Sequence, residues 1–141
     1  MQFIPYLDFD GQAREAFDFY AKVFNGKITM RMTYGESPMA AQMPPETHGR
    51  VMHSQLETAH SILMGADGPP HTTRSTGCVN ISVDDPAEAE RVFKALSEGG
   101  EVSMPIGETF WAHRFGILTD RYGKAWMVNC LKRLSVPTQQ E

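Results

Sequence analysis

The chain has 141 residues, enough for a domain that buries its own core without disulfide staples. Hydrophobic residues make up 41% and charged residues 21%, a globular balance that argues against disorder, and a net charge of −4 with 13 scattered Lys and Arg argues against a nucleic-acid surface. No charged-then-apolar leader opens the chain, no apolar run approaches the roughly 18 residues of a membrane span, and Cys78 and Cys130 lack C-x-x-C spacing, so the expected setting is the cytoplasm with reduced thiols and no membrane partner.

Gln2 to Phe9 alternates as a strand, with Phe3, Leu7 and Phe9 on one face and Ile4, Tyr6 and Asp8 on the other. Pro5 has no N–H for a sheet ladder, which puts this strand at an edge or a bulge. Asp10 then reads as an N-cap. Ala13, Ala16, Phe17, Tyr20, Val23 and Phe24 recur at three- and four-residue spacing and form one helix stripe, ended by Asn25-Gly26. Lys27 to Tyr34 returns as a strand. Gly35 to Gly49 carries Pro38, Pro44, Pro45, Met39 and Met43 and reads as either a lid or a poorly ordered excursion. Val51 to Glu57 and His60 to Met64 make a closing hairpin, and Ala66 to Thr76, with Gly68-Pro69-Pro70, reads as a connector.

The second half repeats this order. Val79, Ile81 and Val83 alternate; Asp85 caps a helix with Pro86 at its first position and Glu88 placed for a capping box. Ala89, Val92, Phe93 and Leu96 form the apolar stripe, Gly99-Gly100 ends it, and a strand begins at Glu101. Gly100 lies 74 positions after Gly26, and at that offset Leu7 meets Ile81, Ala13 meets Ala87, Phe19 meets Phe93 and Met30 meets Met104. The expected architecture is α+β, a tandem of β-α-β-β-β units at 1–66 and 78–131, with a connector at 67–77 and a polar tail at 132–141, one domain overall.

Residues 111–129 read as a β-hairpin whose Asp120-Arg121-Tyr122-Gly123 turn uses a glycine able to take positive φ. Trp126, among Ala, Met and Val, reads as core. Trp111, His113 and Arg114 on the same hairpin could instead orient a polar ligand.

Ile4-Pro5-Tyr6-Leu7-x-Phe9, Ala16-Phe17-x-Phe19-Tyr20, His53-x-x-Leu56, Met64-Gly65-Ala66-Asp67, Trp111-x-x-Arg114-Phe115-Gly116-x-Leu118-Thr119-Asp120 and Gly123-x-x-Trp126-Met127-Val128-Asn129 together resemble the PhnB-like branch of the vicinal oxygen chelate superfamily. That superfamily includes glyoxalase I, bleomycin-resistance proteins and extradiol dioxygenases, and the branch also carries a 3-demethylubiquinone-9 3-methyltransferase-like label. The resemblance implies an open U-shaped mixed sheet in each unit, a cavity inside the U and a homodimer. It also implies four metal-ligand positions, which fall on Ile4, on Leu63 or Met64, on Cys78 and on Met127. Hydrocarbon and thioether groups cannot replace the oxygen and imidazole donors that Mg, Mn and Fe require, so no metal and no cofactor is expected. The five histidines show neither H-x-x-x-H nor H-E-x-x-H spacing. No G-x-G turn and no G-x-S-x-G signature is present.

The expected function is therefore the binding of a small organic molecule, with any enzymatic activity unassigned. Placing Cys78 on the ligand face brings Asn80 and Ser82 with it by period two; Ile4 brings Tyr6 and Asp8, and Met127 brings Asn129. The candidate ligand-binding residues are Tyr6, His53, Cys78, Asn80, Trp111, His113, Arg114, Met127 and Asn129. Two other readings stay open: a metal-dependent lyase, isomerase or dioxygenase with ligands moved to His53 or His113, and a structural or regulatory dimer without a ligand. Asp8, Asp67 and Asp120 are the protein partners considered for Arg114, against a carbonyl or anionic ligand.

Overall fold

Strand alternation and the two helix stripes predict two similar sheets, each covered by a helix on one face, and the computed structural model has this plan. It describes residues 2, 4–68, 70 and 77–132; the readings that involve Phe3, connector positions 69 and 71–76 and the tail from 133 lie outside the described residues. The chain divides into two units, Met1–Gly77 and Cys78–Glu141.

In the first unit β1 (Tyr6–Phe9), α1 (Ala13–Val23), β2 (Lys27–Thr33), β3 (Val51–Glu57) and β4 (Ile62–Asp67) follow in order. The sheet order is β1-β4-β3-β2, with β1 and β4 parallel and the other pairs antiparallel. The second unit has β5 (Cys78–Ser82), α2 (Pro86–Ser97), β6 (Glu101–Gly107), β7 (Ala112–Thr119) and β8 (Ala125–Leu131), in the matching order β5-β8-β7-β6 with β5 and β8 parallel. The fold class is α+β, two mixed open four-stranded sheets.

Each core lies between the helix and one sheet face. In the first unit Ala13, Ala16, Phe17, Tyr20 and Val23 of α1 meet Phe9, Leu56 and Leu63; in the second Ala89, Val92, Phe93 and Leu96 of α2 meet Leu118, Trp126 and Val128. Phe17 and Phe93 each lie against a sheet glycine. A Cβ on Gly65 would come within 2.7 Å of the Phe17 ring, and one on Gly116 within 2.5 Å of the Phe93 ring. The buried helix stripes therefore correspond as Ala13 with Ala89 and Phe17 with Phe93, two residues out of step with the 74-residue offset that matches β2 to β6. The gapless superposition, which sets Phe19 against Phe93, fails in the helices.

Several local expectations are corrected. The first strand is shorter than Gln2–Phe9, although β1 is an edge strand as Pro5 requires. Asp10 does not cap α1. The N-cap position is Gln12, whose side chain makes no cap bond, and Asp67 supplies the carboxylate: its Oδ1 accepts from Gly11 N–H at 2.8 Å and Ala13 N–H at 3.0 Å. Asp10 instead pairs with Arg50 at 2.8 Å. Asp85 does cap α2, accepting from Ala87 N–H at 3.1 Å, but the capping box is not made, because both Glu88 oxygens bind Arg91. The last strand of the first unit runs Ile62–Asp67 rather than His60–Met64, since Thr58 N–H donates to Ser61 O in the hairpin turn, and Asp67 belongs to it rather than to a connector.

The 35–49 excursion is built from 3-10 turns at Tyr34–Glu36, Ala40–Gln42 and Pro45–Thr47. His48 binds it together, with Nε2 at 2.9 Å from Ala40 O and 3.1 Å from Met43 O. His48 precedes β3, so it shares no strand with His53.

Candidate functional site

The sheet face turned away from each helix carries a mixed set of polar, sulfur and aromatic side chains. In the second unit Val79, Trp126 and Val128 occupy the helix side, so alternation sends Cys78, Asn80, Ser82, Met127 and Asn129 to the open side. Register sets these residues in rows. Asn80 pairs with Met127, Met127 with Ile117 and Ile117 with Met104; Ser82 pairs with Asn129 and Asn129 with Phe115. One row is thus largely apolar and the next carries the hydroxyl and an amide. Asn129 Nδ2 donates to Asn80 Oδ1, which ties the rows together.

Trp111 joins this face at its end. Its ring packs edge-on against Phe115 at 5.4 Å and against Phe110 at 4.8 Å, and Phe110 is 89% exposed. Cys78 is exposed, and burial of its sulfur raises the thiol pKa, against a smaller lowering by the Met127 backbone N–H. Such a thiol is a weak nucleophile at neutral pH.

Arg114 and His113 are placed differently. Arg114 pairs with the buried Cys130 in register and reaches α2, donating from Nε to Glu90 Oε1 at 2.7 Å. None of Asp8, Asp67 and Asp120 is its partner in this ion pair. Nη1 also donates to His113 O at 2.6 Å. The register shift between Ala112 and Arg114 makes His113 the extra residue of a β-bulge, with an exposed side chain. Neither side chain is brought to the rows that hold Asn80 and Asn129.

In the first unit the open face carries Tyr6, Met30, Met32, His53, Gln55 and Met64. Met32 pairs with His53, Met30 with Gln55, Gln55 with Met64 and Met64 with Tyr6. The Tyr6 hydroxyl lies 3.1 Å from His53 Nδ1, and the two rings are 5.7 Å apart. Burial raises the Tyr6 pKa, with a further contribution from the nearby Asp8 carboxylate. None of Met30, Met32, Met104, Phe115 and Ile117 is among the ligand-binding residues expected from the sequence. Their alternation was visible, but nothing in the sequence says which face of a strand the helix leaves open.

Comparison with known proteins agrees with this fold. A family model described as 3-demethylubiquinone-9 3-methyltransferase matches residues 1–129. The chain belongs to that family. Protein YjdN of Escherichia coli K12 is 31% identical across 99% of this chain and all of its own length. The crystal structure of protein PA1353 from Pseudomonas aeruginosa is 41% identical, covers 94% of this chain and 99% of its own, and superposes with a TM-score of 0.84. A PhnB protein from Bacillus cereus is 26% identical over 92% of this chain and 98% of its own, with a TM-score of 0.76. The fosfomycin resistance protein FosX from Listeria monocytogenes shares the fold at 10% identity, with a TM-score of 0.64 over 94% of this chain and 93% of its own. The chain is thus PhnB-like by relationship and shares its fold with FosX.

The superfamily's divalent metal does not fit the residues at its four positions. Leu63 is buried on the helix side, which leaves Met64 as the open-face residue of that pair. The set is then one hydrocarbon, Ile4, two thioethers, Met64 and Met127, and the thiol Cys78, with no hard donor. Among the described residues no group of three or more His, Cys, Asp or Glu side chains could hold a metal ion. S-adenosylmethionine, which the family's description implies, fits no better. The turns from β1 to α1 and from β5 to α2 hold no G-x-G, and at the two helix N-termini Ala13 N–H and Ala87 N–H already donate to the Asp67 and Asp85 carboxylates.

Proposed function

We propose that this PhnB-like protein binds a small organic molecule with an apolar body and an uncharged hydrogen-bonding edge, on the open sheet face of its second unit. The Asn80–Asn129 bond carries this reading. One amide donating to the other leaves donor capacity on Asn80 Nδ2 and acceptor capacity on Asn129 Oδ1, the pattern that reads an amide, lactam or paired carbonyl and hydroxyl. Met127, Ile117 and Phe115 beside the pair, with Trp111 at the end, supply adaptable apolar contact. Cys78 contributes as a small polarisable group rather than a nucleophile. Tyr6 and His53 form a separate polar pair on the first unit's sheet. Arg114 and His113 are left out of the site.

The reading includes a cytoplasmic homodimer that works without a resident divalent ion. It is supported by the family membership, the two free thiols and the soft donor set. Native mass spectrometry of freshly purified protein tests these points together. The expected spectrum shows a dimer, no stoichiometric Zn, Ni, Fe or Mn, and any carried ligand. About one such ion per chain, lost with activity on chelation, overturns the metal-free reading. For the site itself, a screen of uncharged carbonyl compounds by thermal shift identifies a binder. Asn80→Ala is then expected to weaken binding at least tenfold, about 1.4 kcal/mol, with little change in the unliganded melting temperature. Unchanged affinity removes the amide pair from the site.

A further inference from the structure

We propose that the open face of the first unit binds a soft monovalent metal ion, Cu(I) or its analogue Ag(I), through Met30, Met32 and His53. Met30 and Met32 stand two residues apart on β2, in a stretch where the register with β3 is regular. Arg31 between them turns the other way, to Asp18 of α1 at 2.7 Å. Both thioethers therefore project from the open face. His53 is the direct cross-strand partner of Met32 and the diagonal neighbour of Met30, which places its Cβ about 5 Å from the one and roughly 7 Å from the other. Thioether side chains with three rotatable bonds can close those gaps onto one ion.

The donor chemistry selects the ion. Two thioethers and an imidazole suit Cu(I) and repel Mg, Mn or Ca, which need hard oxygen ligands. His53 is also prepared for the task. Its Nδ1 is engaged by the Tyr6 hydroxyl at 3.1 Å, which orients the ring and leaves Nε2 as the metallating nitrogen. β2 is an edge strand and Met30 is 43% exposed, so the ion can enter and leave without moving the core.

The duplication provides an internal contrast. In the second unit Met104 holds the position of Met30, but Ile106 stands at the 74-residue offset from Met32, and Phe115 matches His53 through the register of β7. The metal-binding set is present in one unit only. The proposal is independent of the organic-ligand reading, which concerns the other sheet, and the two can fail separately.

The test is an anaerobic titration of the full, reduced chain against Cu(I) held by a chromogenic chelator. Wild type is expected to withdraw one Cu(I) per chain. Met32→Leu and His53→Phe, which keep the bulk of each side chain, are expected to weaken binding tenfold or more, while Met39→Leu in the 35–49 segment leaves it unchanged. Failure of wild type to compete overturns the proposal, as does binding that survives both substitutions or disappears in Cys78→Ser. Unchanged melting temperatures in the variants show that folding is not the cause. Methionine-methyl NMR with Ag(I) gives a second readout: shifts concentrated at Met30 and Met32 support the site, and equal shifts at all methionines overturn it.

Discussion

Asp67 joins three segments through one carboxylate. It is 2% exposed; Oδ1 accepts from Gly11 and Ala13, while Oδ2 accepts from Val51 N–H at 2.8 Å. Its own carbonyl accepts from the Tyr34 hydroxyl at 3.1 Å. Asp120 does similar work in the second unit, accepting from Tyr122, Lys124 and the Trp126 indole N–H. Asp67→Asn replaces one acceptor with a donor that faces a backbone N–H, and we expect a loss of roughly 3 kcal/mol, read as a lower denaturant midpoint at unchanged slope. A loss under about 1 kcal/mol would show that water takes over the cap. Arg114→Met is expected to do much less. Its ion pair with Glu90 is between side chains 34% and 54% exposed, where such pairs contribute about 0–1 kcal/mol, and binding of the screened ligand should not change. A tenfold loss of binding would return Arg114 to the site. Neither carboxylate role was legible in the sequence. Asp10 was the nearer cap by position, and only the parallel pairing of β4 beside β1 brings a residue from the far end of the unit to the start of α1.

At the helix exits two glycine-related tasks were merged in the sequence reading and are separate in the fold. Asn25 takes φ 51° and Gly99 takes φ 74°, so these residues make the left-handed turn. Gly26 and Gly100 serve close approach instead. A Cβ on Gly100 would lie 2.2 Å from Thr119 O, and one on Gly26 would lie 2.9 Å from Leu56 Cδ2. Gly100→Ala therefore requires a shift of backbone where β6 meets β7, and we expect a loss of about 3 kcal/mol by thermal or chemical denaturation. Gly26→Ala should be milder, because the Leu56 side chain can yield and the Glu57 carbonyl would lie 3.0 Å from the new Cβ rather than 2.2 Å. Equal losses in the two variants would refute the distinction. The helices, β3 and the hairpin turn at Gly123, with φ 80°, were legible because each rests on local periodicity or a local φ requirement. The site rows were less so, since they depend on register between strands far apart in the chain.

Over the whole molecule the duplication was legible and its regularity was overstated. β2 and β6 match at an offset of 74 residues, whereas Glu57 of β3 and Thr119 of β7, which hold the same register position, are 62 apart. The difference is taken up by the 3-10 turns between β2 and β3, where the second unit has only a short link. The two open faces differ in their side chains. One presents a thioether and imidazole set, the other an amide pair beside aromatic and aliphatic groups. The shared backbone shows the fold; the chemistry resides in side chains that the repeat does not conserve between its halves.

The strand orders β1-β4-β3-β2 and β5-β8-β7-β6 also impose a timetable on the growing chain. In each unit the first strand to leave the ribosome has no sheet neighbour until the last one arrives and slots between it and the hairpin already formed. β2 with β3, and β6 with β7, can zip as they emerge, but β1 must wait for residue 64 and β5 for residue 125. Closing such long loops is slow compared with local pairing. Pulse-labelled hydrogen exchange during refolding should thus find the β2–β3 and β6–β7 amides protected first and those of β1 and β5 last. Simultaneous protection of all eight strands would mean that the sheets assemble in one step instead.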